Sequence, residues 1–253
     1  MENADLIING IQEDREKQKI SKNTELFIEQ TLQFQELMMM YNSAIREIRT
    51  KLETLNDDLA MRYSRNPIEF ITQRIKKPMS IVKKLKSRSY DVSCPSIVKN
   101  LNDVAGIRVI CSFIDDIYRV SDMLTSQDDI TLIAVKDYIK NPKPNGYRSY
   151  HIIVEIPVFF SDRKENIRVE IQFRTIAMDF WASLEHTLKY KRNIPNESMI
   201  SSRLYNCAEI ISSIDREMLN IRNEIDENGE PVEDDAISKL ERLSNGLIRP
   251  NYQ

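Results

Sequence analysis

The chain has 253 residues and a formal net charge of −3, with 41% hydrophobic and 30% charged residues. These values are typical of a globular protein and give no general attraction to nucleic acid or to anionic lipid. No apolar run is long enough to cross a bilayer, and the first residues lack the basic segment of a signal peptide, so we expect no membrane contact.

Residue counts exclude several kinds of site. The three cysteines, Cys94, Cys111 and Cys207, are isolated and odd in number, which is typical of a reducing cytoplasm rather than of a disulfide framework. The five glycines are scattered, so neither a Walker loop nor a dinucleotide fingerprint can be built. Side chains must therefore bind any phosphate. Neither histidine, His151 or His186, precedes an aspartate, which argues against a His-Asp metal hydrolase.

The N-terminal region is predicted to be helical from residue 24 to residue 61, after a largely polar segment, residues 1–23, that we expect to be loosely ordered. Apolar residues in this helix alternate spacings of three and four, as in a coiled-coil seam. The seam consists of Met38, Tyr41, Ile45, Ile48, Leu52, Leu55 and Leu59. It predicts a helix that packs either on its own domain or on a second chain.

A basic segment follows. Asn66, Pro67 and Glu69 are typical of a helix start, so a helix is predicted from Asn66 to Lys77, and a second helix after Pro78. Seven basic residues and no acid lie between residues 74 and 88, namely Arg74, Lys76, Lys77, Lys83, Lys84, Lys86 and Arg88. Most such runs are simply solvated. Without a Walker loop, however, this run is the natural candidate for binding a triphosphate.

The middle of the chain predicts a sheet. Residues 107–113 are predicted to form a strand, 115–126 a helix and 130–135 a second strand. Residues 136–146 contain two prolines and the Asn145-Gly146 turn pair, and 147–158 are predicted to form a third strand. Tyr147, Ser149 and His151 would then share one face, which suits a nucleotide base. An ordinary loop and a half-buried strand would show the same pattern.

Residues 168–174 alternate strictly between polar and apolar side chains, after a polar hairpin connection at 161–166. The alternation predicts a strand with Arg168, Glu170, Gln172 and Arg174 on one face, as a solvated sheet face would also show. Thr175 is predicted to cap the next helix. The order strand, helix, three strands and helix predicts an α+β domain with a mixed β-sheet, flanked by N- and C-terminal helices.

The C-terminal region is predicted to be helical over 197–226 and again carries an apolar seam. The seam consists of Ile200, Leu204, Cys207, Ile211, Ile214, Met218, Ile221 and Ile225. Seven acidic residues and no base then lie between Glu224 and Asp235, which predicts a solvated acidic tail.

Six short segments stand in a fixed order along the chain. They are RIK and SIVKK at 74–76 and 80–84, DVAGIR at 103–108, KDY at 136–138, KPNGYRSYH at 143–151, EIQFRT at 170–175, and WASLEH with YK at 181–186 and 190–191. Each is weak alone, but together they resemble the synthetase domain of RelA/SpoT-like proteins, above all the single-domain small alarmone synthetases. The resemblance implies an N-terminal helical region at 1–62, a nucleotidyltransferase-like synthetase domain at 63–195, and a C-terminal helix with an acidic tail at 196–253.

The resemblance also implies an activity, that of a GTP diphosphokinase. Such enzymes transfer pyrophosphate from ATP to the 3′-hydroxyl of GDP or GTP, release AMP and produce the stringent-response alarmones ppGpp and pppGpp. The hydrolase and regulatory domains of the long relatives have no counterpart in this chain, so we expect no alarmone hydrolysis.

The resemblance also implies functional roles for individual residues. Asp103 and Glu170 are expected to bind Mg²⁺, and Glu170 is also the candidate general base. The residues expected to bind ATP are Arg74 and Arg108 at adenine, and Lys76, Ser80 and Lys84 at the phosphates. Those expected to bind the guanine nucleotide are Lys136, Lys143, Asn145, Tyr147, His151, Gln172 and Asp179, with Tyr147 stacking on guanine and Gln172 also supporting the metal.

One position departs from the family pattern. Many relatives carry Asn where this chain has Asp179, and a carboxylate can still accept hydrogen bonds from guanine N1 and N2. Guanine selectivity is therefore expected to survive the change.

Two other functions fit parts of the pattern. A relative that pyrophosphorylates tRNA as a toxin should carry extra basic surface, whereas the C-terminal region here is acidic. An inactive nucleotide- or RNA-binding module would not need both Asp103 and Glu170. The sequence leaves open the choice among GDP, GTP and GMP, and whether an alarmone or RNA acts as an allosteric ligand. The two apolar seams predict a homo-oligomer, and the resemblance favours a tetramer.

Overall fold

A computed structural model describes residues 2–63, 65–189 and 196–228, with backbone alone for residues 2–23, Tyr63 and Lys189. Most of the predicted acidic tail lies outside the described residues. The elements in chain order are α1 (Glu2–Tyr63), β1 (Ile68–Ile75), α2 (Pro78–Ser87), α3 (Cys94–Asn100), β2 (Ala105–Cys111), α4 (Ile114–Thr125), β3 (Thr131–Asp137), β4 (Tyr150–Phe159), β5 (Lys164–Thr175), α5 (Ile176–Lys189) and α6 (Glu197–Asn228).

One five-stranded sheet with the order β1-β2-β5-β4-β3 forms the centre of the protein. The β2 and β5 strands are parallel, whereas the other three neighbouring pairs are antiparallel. The predicted α+β class with a mixed sheet is therefore confirmed.

One face of the sheet is apolar because alternate residues of the three inner strands are aliphatic or aromatic. Its buried side chains include Ile107, Val109, Cys111, Ile152, Val154, Val169, Ile171 and Phe173. The α1 helix packs across β1, β2, β4 and β5, and α4 packs against β2 and β5. The α1 seam fills this interface, since Ile48 and Leu52 are completely buried and Tyr41, Ile45 and Leu59 are nearly so. Of the two alternatives for this seam, packing on its own domain is the one observed.

The predicted helix from Asn66 to Lys77 is wrong, because Ile68–Ile75 form the edge strand β1. Five of these eight residues are β-branched or aromatic, which favours a strand. Pro67 directly precedes the strand, a position that an edge strand tolerates as readily as a helix does. The second predicted helix is confirmed as α2, which begins at Pro78.

Three further expectations need correction. The first 23 residues were expected to be loosely ordered, but the α1 backbone is helical from Glu2. The β4 strand begins at Tyr150, so Tyr147 and Ser149 precede it in the loop. Ser149 is buried and its hydroxyl donates to the carbonyl of Phe173 at 2.8 Å, so it does not line a face with Tyr147. The β5 strand already begins at Lys164, within the predicted hairpin connection.

The α6 helix packs against α5 and α4 through one side. Ala208 and Asp215 are buried there, whereas Ile214, Met218 and Ile225 are more than half exposed. Its seam is therefore only partly used within the chain. Among the described residues, no helix is long and apolar enough to cross a membrane.

Candidate active site

The sheet face opposite α1 carries a row of polar side chains that crosses all five strands. Strand register places Thr72 opposite Arg108, Arg108 opposite Gln172, Gln172 opposite His151, and His151 opposite Lys136. In the adjacent row, Arg74 pairs with Gly106 and Gly106 with Glu170. Because side chains alternate between the faces of a strand, these residues project to the same side. The register thus brings together eight residues from five separate strands.

A groove lies over β1 and β2 at one end of these rows. Its lining includes Arg74, Gly106, Arg108 and Gln172. A Cβ added to Gly106 would lie 3.6 Å from Cγ of Arg74, an ordinary van der Waals contact, so the Arg74 side chain lies close against the sheet. Burial and the charges of Arg174 and Arg74 lower the pKa of Arg108, which Asp179 partly opposes. Two guanidinium groups therefore flank a recess of the kind that a planar base can enter.

Asp103 lies just before β2 and holds two lysines. Its Oδ2 accepts a hydrogen bond from Lys76 Nζ at 2.5 Å and from Lys84 Nζ at 2.6 Å. Burial raises the pKa of Asp103, but the two lysines outweigh this effect and hold the pKa below its ordinary value. Its other oxygen, Oδ1, is buried and has no hydrogen-bond partner among the described residues.

Glu170 on β5 is the second carboxylate. Gln172 donates to its Oε2 at 2.8 Å, and His151 Nδ1 lies 3.7 Å from its Oε1. Burial raises the pKa of Glu170, but its contacts with His151 and Gln172 bring the pKa below its ordinary value. Glu170 is therefore ionised near neutral pH. Burial lowers the pKa of His151, more than Glu170 raises it, so the imidazole is neutral there.

The two carboxylates fit a magnesium ion in part. No cluster of three or more protein ligands exists among the described residues. Mg²⁺ in nucleotide-dependent enzymes often takes one or two carboxylates, with phosphate oxygens and water as its other ligands. The unpartnered Oδ1 of Asp103 offers one such ligand, and Asp103 acts electrostatically on Glu170. Asp103 and Glu170 would hold the ion, which would neutralise phosphate charge between them.

Aromatic and basic side chains form the opposite side of the site. The Tyr147 hydroxyl lies 2.9 Å from His151 Nε2 and accepts from Arg174 at 2.8 Å. The Lys143 ammonium lies between two rings, 4.7 Å from the centroid of Tyr147 and 4.6 Å from that of Tyr138. Such a half-exposed ring with cations beside it is suited to stack on a base and to bind its phosphates.

The loop that carries Tyr147 is fixed from two directions. Asn145 accepts from the backbone N–H of Tyr147 at 3.2 Å, and its amide donates to Glu185 on α5 at 3.3 Å. Gly146 has a φ of +87°, and α6 packs directly against it, so an added Cβ would come within 2.6 Å of the Ala208 Cβ. Arg148 extends this contact by donating to Glu209 on α6 at 2.8 Å.

Asp179 on α5 is held by two arginines. It accepts from Arg174 at 2.8 Å and lies 3.3 Å from Arg108. The sequence led us to expect a carboxylate that reads guanine. In the structure its Oδ1 is already engaged by side chains from β2 and β5.

Two of the expected residues stand apart from these contacts. Ser80 is exposed in the first turn of α2, one turn before Lys84. Lys136 is exposed on β3, where strand register places it opposite His151.

Sequence reasoning missed Arg174. This arginine is only 6% exposed and joins Asp179, Tyr147 and Gln172. The alternation of residues 168–174 already placed it on the polar face, and that was the signal available.

The comparisons with known proteins agree on one family. Residues 73–195 match the family described as a region found in RelA/SpoT proteins. The GTP pyrophosphokinase YwaC of Bacillus subtilis is 42% identical over 189 residues, which cover 75% of this chain and 90% of YwaC. YjbM of the same organism, also a GTP pyrophosphokinase, is 37% identical over 197 residues, which cover 77% of this chain and 91% of YjbM.

The fold is also similar to that of solved structures of small alarmone synthetases. The crystal structure of small alarmone synthetase 1 from B. subtilis, bound to its product pppGpp, superposes with a TM-score of 0.70 at 37% identity, covering 77% of this chain and 98% of that one. Small alarmone synthetase 2 gives a TM-score of 0.68 at 40% identity, with 76% and 98% covered.

Proposed function

Because this chain belongs to the RelA/SpoT family, we propose that it is a (p)ppGpp synthetase, a GTP diphosphokinase that transfers pyrophosphate from ATP to the 3′-hydroxyl of GDP or GTP and releases AMP. The proposal includes no alarmone hydrolysis.

The position of the two carboxylates between two unlike sets of side chains carries this proposal. Asp103 contacts Lys76 and Lys84 on one side, and Glu170 contacts His151 on the other. Transfer at the β-phosphorus of ATP needs charge neutralisation, an aligned 3′-oxygen and an acceptor for its proton. A basic side, an aromatic side and carboxylates between them meet these needs.

On the donor side, we assign adenine to Arg74 and Arg108, and the phosphates to Lys76, Ser80 and Lys84. Both lysines now contact a carboxylate, so an arriving triphosphate exchanges one anion for another at each ammonium. Ser80 lies in the first turn of α2, where the helix dipole favours an anion.

On the acceptor side, we assign the guanine base to Tyr147, and its sugar and phosphates to the neighbouring polar groups. These are Lys136, Lys143, Asn145 and His151, with Gln172 and Asp179 behind them. Glu170 is ionised near neutral pH, which both of its proposed roles require: ligand to Mg²⁺ and acceptor of the 3′-hydroxyl proton.

A product assay tests the proposal. The purified chain is incubated with Mg²⁺, ATP and, in separate reactions, GDP, GTP, GMP or tRNA, and nucleotides are separated by anion exchange. We expect one AMP for each guanosine 3′-pyrophosphate formed with GDP or GTP. Transfer to tRNA alone would identify the toxin-like reaction, and no AMP from any acceptor would indicate an inactive binding module. Adding pppGpp or single-stranded RNA to the same assay shows whether either one regulates the enzyme.

We further propose a cytoplasmic homotetramer with the three-part division of the chain at residues 62/63 and 195/196. Three free cysteines support a reducing compartment. The exposed seam of α6 supports contact with other copies, since Ile214, Met218 and Ile225 lie on one helical face and are more than half exposed.

A further inference from the structure

The hydroxyl group of Tyr147 has a position that stacking on a base does not explain. It lies between Arg174 Nη2, at 2.8 Å, and His151 Nε2, at 2.9 Å. A phenylalanine would present the same ring face to a guanine. The hydroxyl therefore points to a second role for this side chain.

The proton of this hydroxyl can be located from the chemistry of its neighbours. An arginine only donates, so the Tyr147 oxygen accepts from Arg174. The hydroxyl has one proton of its own, and His151 Nε2 is its remaining partner among the described residues. When this proton is used in the bond to Nε2, Nε2 is the acceptor and the proton of the neutral ring lies on Nδ1.

The contact made by the other ring nitrogen, Nδ1, also favours a proton on Nδ1. Nδ1 faces Glu170 Oε1 at 3.7 Å. A lone pair on Nδ1 would be repelled by the lone pairs of this oxygen, whereas an N–H group is attracted to them. Gln172 donates to the second oxygen, Oε2, at 2.8 Å, so N–H groups face the carboxylate from two strands.

We propose that the Tyr147 hydroxyl is a positioning group for Glu170: it holds His151 in the Nδ1–H tautomer, and the Nδ1–H group orients the Glu170 carboxylate. The inference rests on the proposed synthetase reaction for its kinetic consequence. One side chain then serves two purposes, because the ring of Tyr147 stacks on the acceptor base while its hydroxyl orients the carboxylate at the acceptor's 3′-hydroxyl.

The histidine tautomer can be measured without any turnover. The sequence contains two histidines, His151 and His186, so protein labelled with ¹⁵N-histidine gives two ring systems, which a His186→Gln variant assigns. In free wild-type protein near pH 8, we expect the unprotonated nitrogen of His151, recognised by its downfield ¹⁵N shift, to be Nε2. In Tyr147→Phe the ring should lose this preference and show a mixture or the opposite tautomer.

Tyr138→Phe is the matched control. Its ring also meets His151 edge-on, at 5.2 Å between centroids, but its hydroxyl has no hydrogen-bond partner among the described residues. This variant should keep the wild-type tautomer. Steady-state kinetics then separate the two roles of Tyr147. Tyr147→Phe should lower kcat roughly tenfold and leave KM for GDP within about threefold, because the stacking ring is intact.

A second pair of variants keeps the proposal testable if Tyr147→Phe does not fold. His151→Asn retains an N–H near the position of Nδ1, whereas His151→Gln places its amide near Nε2. The proposal expects His151→Asn to keep more activity than His151→Gln. The reverse order would overturn it.

Each of the remaining outcomes also tests the proposal. An unchanged tautomer in Tyr147→Phe overturns the proposal, as does an altered tautomer with unchanged kcat. A rise in KM for GDP with unchanged kcat would also overturn the proposal, because the hydroxyl would then contribute to binding of the acceptor nucleotide and not to positioning of Glu170. If wild-type protein forms no alarmone, the proposed function fails, while the tautomer measurement still tests the structural part.

Discussion

At the scale of single residues, Glu170 shows how neighbours set the state of a functional group. Burial alone would favour its protonated form, but contacts with His151 and Gln172 favour the carboxylate more strongly. The same carboxylate faces an Nδ1 that is only 3.7 Å away and belongs to a neutral ring. Glu170 is therefore charged near neutral pH without being neutralised by a full ion pair.

Replacing Glu170 by Gln keeps the shape of the side chain but removes this charge. We expect alarmone formation to fall at least 100-fold, about 2.7 kcal/mol of activation free energy, with an unchanged circular dichroism spectrum. Glu165→Gln, at the other end of β5, is the matched control and should retain activity. A Glu170→Gln variant within tenfold of wild type would exclude both proposed roles of this residue.

Local sequence patterns predicted which residues of β5 share a face, but they did not predict contacts between distant parts of the chain. Alternation within β5 is local, and it placed Glu170, Gln172 and Arg174 on one polar face as expected. The partners of Arg174 were not predictable in this way, because Asp179 comes from α5 and Tyr147 from a loop 27 residues earlier. Only tertiary packing brings these groups together.

At the scale of elements, the error at β1 has a specific origin. The capping signature at Asn66-Pro67 and Glu69 is equally compatible with the start of an edge strand. Ile68, Ile71 and Ile75 are spaced three and four apart, so the apolar residues also fit a helical repeat and do not reveal the strand. Pairing with β2 decides the outcome, since Arg74 lies opposite Gly106 and Ile71 opposite Val109. Long-range pairing of this kind leaves little trace in local sequence.

The loop before β4 depends on a glycine. Gly146 has a φ of +87°, and an added Cβ would lie 2.6 Å from Ala208 on α6. Gly146→Ala should therefore displace the loop that carries Tyr147 and raise KM for the guanine nucleotide roughly fivefold or more, from about 1 kcal/mol of backbone strain plus the steric contact. KM for ATP should stay within about twofold.

A double variant separates the two causes. Adding Ala208→Gly to Gly146→Ala removes the contact with α6 but not the strain of a positive φ, so KM for GDP should recover in part. Equal rises in KM for both substrates, without recovery in the double variant, would show that the loop does not serve the acceptor alone.

The contact between α5 and α6 contains a buried acid, Asp215, whose Oδ2 accepts from Thr175 at 2.6 Å. Burial raises the pKa of Asp215 above its ordinary value, more than the Thr175 hydrogen bond lowers it. The folded state then binds more protons than the unfolded state between the ordinary and the folded pKa, so stability from this group is greatest at low pH and falls as pH rises through that window.

Asp215→Asn removes this titration and keeps an oxygen for Thr175. We expect the variant to gain stability relative to wild type as the pH is raised from 4 to 7, measured as the difference in free energy of unfolding by urea. Glu217→Gln reports the effect of removing an exposed carboxylate from the same helix. A difference that stays constant, or shrinks as pH rises, would contradict the assignment.

At the scale of the whole molecule, the two apolar seams have different fates. The α1 seam packs against the sheet, and Leu52 at its centre is completely buried. A charge at Leu52 would therefore damage the fold and would not report on assembly. The α6 seam keeps Ile214, Met218 and Ile225 exposed, which leaves it available to other copies.

Met218→Glu places a charge on this exposed seam, and Asn220→Glu places one on another face of α6. In light scattering we expect wild type and Asn220→Glu to share the mass of a tetramer and Met218→Glu to shift to a smaller species, because an apolar contact cannot accommodate an unpaired carboxylate. A monomeric wild type, or a Met218→Glu variant of unchanged mass and stability, would remove α6 from the interface.

Asp179 gives the two halves of the proposed reaction a shared counter-ion. It touches Arg108, assigned to the donor, and Arg174, which supports the acceptor's Tyr147. A nucleotide that draws Arg108 away would change the field at Arg174, so we expect the two binding equilibria to be thermodynamically linked. Linkage is reciprocal: the factor by which ATP changes the affinity for GDP equals the factor by which GDP changes the affinity for ATP, whichever binds first.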